Sequence, residues 1–295
     1  MNKTATKVLA LCAAAMMTLT ACTGNAPATE EEKPSDAAST ETKDEATDKK
    51  DEDKTADASA VTGKHEITDL VLPKLAQNEL TTFNILHSET NEDFEILFNL
   101  VEGLLEKDSL DKRHPCVATE WGTEDGGLNW TFKLRNDVKW VDMNGNVKAD
   151  CVADDFLTAL EWTLNFHKND SIGTSMPCQM IKGAQEYYDY TKGLSKEEAY
   201  ALTAGEGSKF REMVAVEAPD AYTLHYTCTA EKPYFDSLMS YTTGMPMSQA
   251  MIDELGGVDG VRAMNNENMW YNSCYTMTSY LQGNEKVLTK NPEYW

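Results

Sequence analysis

Apolar and polar positions alternate most clearly between Trp130 and Leu134, where Trp130, Phe132 and Leu134 interleave with Thr131, Lys133 and Arg135. A period of two puts the apolar set on one face of a strand. Gly126-Gly127 before it and Asn144-Gly145-Asn146 after it are turn-forming compositions. The period then changes. After Ala153-Asp154-Asp155, the residues Phe156, Leu160 and Leu164 recur every four positions, which predicts a helix with one buried face. Acids in its first turn suit the positive end of the helix dipole.

The same reading applies along the rest of the chain. Leu70-Val71-Leu72 predicts a short buried strand, and Asn91-Glu92-Asp93 opens a helix. Phe94, Leu97, Phe98, Val101 and Leu105 give that helix its buried face. Ser195-Lys196-Glu197-Glu198 has the form of a cap followed by an acidic first turn. Val214 to Tyr226 reads as a strand, a tight Pro219-Asp220 turn and a second strand. Pro233 starts another helix, and Ser248 to Leu255 forms one more, ended by Gly256-Gly257. The aromatic run with Tyr187, Tyr188 and Tyr190 is assigned to packing, because no alternation accompanies it.

The first 22 residues differ from all this. Lys3 and Lys7 precede an apolar run from Val8 to Leu19, the layout of an export signal. Leu19-Thr20-Ala21-Cys22 has the form of a lipobox, which would make Cys22 the lipidated mature N-terminus. A plain secretory peptide cut at a small residue is the alternative. From Ala26 to Ala60 there is no aromatic and no large aliphatic residue. Such a segment cannot bury enough apolar surface to offset chain entropy and is expected to be disordered. The domain reading is a signal peptide over 1–22, an acidic tether over 23–62 and a folded body over 63–295.

Charge narrows the partners. The formal net charge is −23; twelve acids against five lysines give the tether −7, and the signal segment adds +2, leaving −18 on residues 61–295. That argues against nucleic acid as a partner, since phosphate binding needs a basic footprint. The body holds five cysteines, Cys116, Cys151, Cys178, Cys228 and Cys274, with no Cys-x-x-Cys pair and no His at ligand spacing. No zinc site, redox site or cofactor is expected, and free buried thiols are the expected state of most of them.

The order of the pieces carries the functional information. Pro115-Cys116-Val117-Ala118 leading to Trp121, then Trp130-Thr131-Phe132-Lys133-Leu134-Arg135 leading to Trp140, then Ala153-Asp154-Asp155-Phe156, resembles the extracellular solute-binding proteins of family 5. These are the oligopeptide- and dipeptide-binding lipoproteins of ABC importers. Glu102-Gly103-Leu104-Leu105, the Val214–Tyr226 hairpin and Asn291-Pro292-Glu293-Tyr294-Trp295 are similar to further family segments. Val152 replaces a usual Thr, the turn after Trp140 is longer than usual, and Ser273 replaces a usual Gly. If that glycine has positive φ, Ser273 would be strained.

The resemblance implies an α/β, two-lobed fold of the periplasmic-binding-protein type II kind, with only the first lobe present and residues of about 102–213 as an associated subdomain. It implies that Glu89, Thr90 and Asn91, in the loop before the first helix, line the ligand cleft, and that Asn272 does so too. It further implies a peptide ligand, a membrane permease and an ATPase as partners, and an extracytoplasmic, lipid-anchored location. An enzyme is the competing class. Neither Gly-x-Ser-x-Gly nor His-Glu-x-x-His occurs, and Ser109 with Lys112 fits Ser-x-x-Lys without its companion motifs. A surface sensor or adhesion module, or a binder of nickel or haem, would reuse the same fold.

Overall fold

The computed structural model describes residues 69–71, 79–169 and 172–295. The chain divides into two units, Met1–Asp69 and Leu70–Trp295. The export signal, Cys22, the whole of the tether with its expected disorder, and Leu72 lie outside the described residues.

In the second unit the first helix, α1, runs Asn91–Leu97. Hairpin β1 (Leu105–Lys107) and β2 (Arg113–Pro115) follows. Next come β3 (Ala118–Gly122), β4 (Asn129–Leu134), and the pair β5 (Lys139–Val141) and β6 (Val147–Asp150). Helix α2 spans Ala153–Leu164. Four shorter helices come next: α3 (Ser175–Met180), α4 (Ala184–Lys192), α5 (Lys196–Tyr200) and α6 (Lys209–Met213). Strands β7 (Val216–Asp220) and β8 (Thr223–Thr227) lead to α7 (Phe235–Leu238), α8 (Gln249–Glu254) and α9 (Val258–Arg262). Hairpin β9 (Tyr275–Leu281) and β10 (Glu285–Lys290) comes last.

The main sheet is antiparallel, in the order β3-β4-β8-β7. Strand β4 lies inside it, and Trp130, Phe132 and Leu134 all face the core, as the alternation requires. Trp130 pairs with Tyr226 and Phe132 with Leu224 across the β4–β8 ladder. The Phe132 and Tyr226 rings meet edge to face at 5.8 Å. Because β4 pairs with β8, chain on either side of residue 213 shares one sheet. The turn before β4 needs Gly127: its φ is +98°, and an added Cβ would lie 2.4 Å from the Lys232 carbonyl carbon. Gly103 is constrained by space instead. A Cβ there would come within 2.8 Å of the Gly244 oxygen, which already accepts the Leu104 N–H.

Several expectations change in three dimensions. Leu70 and Val71 are both 81% exposed and belong to no strand. A short apolar run carries too little pattern to fix its partner. Helix α1 stops at Leu97, so Phe98 turns outward and Leu100 takes the buried position. Pro219 and Asp220 lie within β7, and the chain reverses at Ala221-Tyr222. Helix α7 begins at Phe235, after Pro233. Ser273 is not strained, since Asp111 is the one described non-glycine residue with positive φ. The five cysteines are free; four are buried and Cys274 is half-buried.

Helix α2 departs furthest from its pattern. Phe156, Leu160 and Leu164 are buried as expected, but so are Asp155, Thr158, Glu161 and Thr163. Only Asp154 stays exposed. Its N-cap, Val152, has no side-chain oxygen, so Asp155 reaches back and accepts the Val152 N–H at 3.0 Å. Glu161 is the counterpart one and a half turns on. Its carboxylate binds Lys168 Nζ at 2.7 Å, the Tyr187 hydroxyl at 2.8 Å and Asn165 Nδ2 at 2.9 Å. A buried charge is tolerable only when it is paired and hydrogen-bonded, as here.

Candidate functional site

The loop before α1 is fixed by its own side chains. Asp93, in the first turn of α1, is fully buried. Its carboxylate accepts the Thr81 N–H at 2.9 Å, the Thr81 hydroxyl at 2.5 Å and the Ser88 hydroxyl at 2.9 Å. The positive end of the helix adds to its stability. Thr90 is the N-cap, extended at φ −112° and ψ 144°, and its hydroxyl accepts the Asp93 N–H at 3.2 Å. Asn84 Oδ1 accepts the Leu86 N–H at 3.1 Å. Residues 81–90 are thereby set without regular secondary structure.

A brace from the far end of the chain holds the start of this loop. Glu79 accepts the Tyr280 hydroxyl at 3.0 Å, the Gly283 N–H at 2.6 Å and Lys286 Nζ at 2.8 Å. The Lys286 ammonium and the Gly283 N–H hold its carboxyl below the usual range. The Phe83 and Tyr280 rings pack edge to face at 5.3 Å.

The loop forms one side of an open cleft of about 600 Å³. Thr81, Thr82, Asn84, His87, Glu89 and Thr90 line it from the loop, Trp162 from α2, and Val261 and Arg262 from α9. Arg262 is held by neutral acceptors. Its Nη2 donates to the carbonyls of His167 at 2.8 Å and Lys168 at 3.4 Å, and Nη1 donates to the Tyr200 hydroxyl. The Glu161 network fixes that wall by anchoring Lys168, which also donates to the Leu202 carbonyl. Burial and the Glu161 carboxylate push the Tyr187 hydroxyl far above its ordinary range, so it remains a donor. Trp162 is 1% exposed, and its Nε1–H has no acceptor among the described residues.

The four residues assigned to the cleft from sequence separate here. Glu89 and Thr90 line it. Asn91 is the exposed first residue of α1 and is not in the lining. Asn272 is 1% exposed and bonds the main chain of Glu102: Oδ1 accepts the Glu102 N–H at 2.8 Å, and Nδ2 donates to the Glu102 carbonyl at 3.1 Å. That is a tie between distant segments. Arg262, Trp162 and His87 went unnoticed in the sequence. Nothing local marks them, since Arg262 looks like an ordinary charged position on a short helix. Among the described residues no group of three or more His, Cys, Asp or Glu is placed to hold a metal ion.

The cleft is open and lined by hydrogen-bonding side chains on a locked loop. The chain belongs to the bacterial extracellular solute-binding proteins, family 5, whose middle part matches residues 112–295. It is 26% identical over 216 residues to the oligopeptide-binding protein AmiA of Streptococcus pneumoniae, covering 72% of this chain and 29% of AmiA. It is 27% identical over 202 residues to the periplasmic oligopeptide-binding protein OppA of Escherichia coli K12, covering 67% of this chain and 31% of OppA. The chain thus spans about three-tenths of the length of the curated relatives it matches. Among solved structures it resembles Haemophilus influenzae OppA in complex with RPPGFSPFR, with a TM-score of 0.58 and 26% identity, over 72% of this chain and 37% of that one. The substrate-binding domain of an oligopeptide ABC transporter from Bacillus anthracis gives a TM-score of 0.56 at 26% identity, over 72% and 36%. The fold is therefore the α/β fold of these oligopeptide-binding proteins, matched in part. As a family, these are extracytoplasmic binding proteins rather than enzymes.

Proposed function

We propose that this chain is part of the substrate-binding component of an ABC importer and contributes one wall of a cleft that captures extracellular peptides. The observation that carries this is the Thr81–Thr90 loop, locked by the buried Asp93 and presenting Glu89 and Thr90 to an open polar cleft. A preset polar wall loses little freedom when a ligand arrives, so more of the contact energy remains as affinity. An extended peptide offers a regular series of main-chain donors and acceptors to such a wall, which gives affinity with modest side-chain selectivity. The peptide-binding names of the relatives support the same reading. Closure over the ligand would select the bound state by contacts made only there. A membrane permease and its ATPase are the partners this role requires. Lipidation of Cys22 would hold the protein at the outer face of the membrane, with residues 23–62 as the tether.

Native mass spectrometry of the full-length protein tests this. Co-purifying masses that fragment as peptides are the expected result. A metal, haem or sugar in their place overturns it.

A further inference from the structure

Four arginines occur in the chain: Arg113, Arg135, Arg211 and Arg262. Three lie within 3.5 Å of a carboxylate oxygen: Arg113 at Asp236, Arg135 at Asp137 and Arg211 at Asp154. Arg262 differs. Its nearest carboxylate is Asp259 at 3.8 Å, beyond hydrogen-bond reach, on a side chain that is 81% exposed. Its bonds go instead to two main-chain carbonyls and a tyrosine hydroxyl, none of which carries charge. Its Nε–H has no acceptor among the described residues. It is also the arginine that lines the cleft.

We infer that Arg262 gives the cleft a preference for a ligand that bears a carboxylate, so that acidic side chains are favoured at one position of a bound peptide. The guanidinium is held in place by neutral hydrogen-bond acceptors, and its one ion-pair partner among the described residues, Asp259 at 3.8 Å, is a solvent-exposed carboxylate that compensates it weakly. The guanidinium therefore meets a carboxylate with its rotamer already fixed and with a donor to spare. Trp162 lines the same cleft, with its Nε1–H buried and without an acceptor among the described residues. Val261 adds apolar contact for the methylenes of an acidic side chain.

This inference rests on the reading of the cleft as a peptide site, and the experiment separates the two. Full-length protein is titrated calorimetrically with pentapeptides identical except for Glu or Gln at one position, moved along the peptide. At one position the Glu peptide should bind about tenfold more tightly, the size expected of a charge-assisted hydrogen bond. Arg262→Gln should bring the ratio of Glu to Gln peptide affinities to about one. Arg262→Lys keeps the charge but loses the fork, and should lower the ratio severalfold. It also serves if Arg262→Gln fails to fold. Equal binding of Glu and Gln peptides at every position overturns the inference and leaves the peptide site standing. So does a ratio that survives both variants. If no peptide binds, the peptide reading fails and this inference falls with it.

Discussion

The Trp140 indole donates its Nε1–H to Asp155 Oδ2 at 2.9 Å, joining β5 to the first turn of α2 inside the core. The same oxygen accepts the Val152 N–H, so one buried atom serves as strand anchor and helix cap. Burial raises the Asp155 carboxyl from 3.8 to about 6, against the lowering effect of the Trp140 bond. The native state therefore keeps a proton that the unfolded chain releases between these values. Stability from this group is full below about pH 3.8 and is lost as pH rises to about 6.

Asp155→Asn should remove that loss. Asn can place its carbonyl oxygen where Oδ2 sits and keep both bonds. The variant should be more stable at pH 7 by on the order of 2–3 kcal/mol and should lack the decline between pH 4 and 6. Urea melts of both proteins across this range give the answer, and a variant less stable at pH 7 contradicts it.

Asp93→Ala strips three acceptor contacts from Thr81 and Ser88. It should cost about 2–4 kcal/mol, since buried donors would be left unpaired. Amide exchange over residues 81–90 should speed up more than elsewhere. Peptide affinity should fall as well, because the loop would have to be ordered on binding. Unchanged exchange in that loop would mean that Asp93 does not hold it.

Glu161→Gln or Lys168→Met alone strands one buried charge and should destabilise by about 3–5 kcal/mol. The double variant should be much less damaged than the sum of the two. A denaturation cycle that comes out additive rules out the pairing as a stabilising unit.

Asn272→Ala removes the tie to Glu102 and should cost about 1–3 kcal/mol. Peptide affinity of the folded variant should stay within about twofold, because Asn272 is buried and outside the cleft lining. A loss of tenfold or more would make Asn272 a ligand contact, as the family resemblance implied.

Cys22→Ala should shift the protein from the membrane fraction to the medium. Persistence in the membrane after cleavage of the signal excludes lipidation at this residue as the anchor.

What the sequence determined was local. Alternation fixed β4 and the faces of Trp130, Phe132 and Leu134, because neighbouring residues on a strand must point to opposite sides. The cap at Ser195 stands where a polar residue precedes an acidic helical turn, and the β7–β8 hairpin lies where two β-rich runs meet. The order of these pieces was enough to point to the family.

The tertiary structure decided what lies on the other faces. Spacing marks the apolar stripe of α2, but whether the opposite face meets water depends on what packs over it. Here α4 and the segment after α2 cover it, so Glu161 finds Lys168 and Tyr187 instead of solvent. The cleft was out of reach for the same reason. Arg262 meets a carbonyl 95 positions away and shares a lining with Thr81. Contacts between residues that far apart leave no periodic trace, because a period reports only on neighbours within a turn or a pleat.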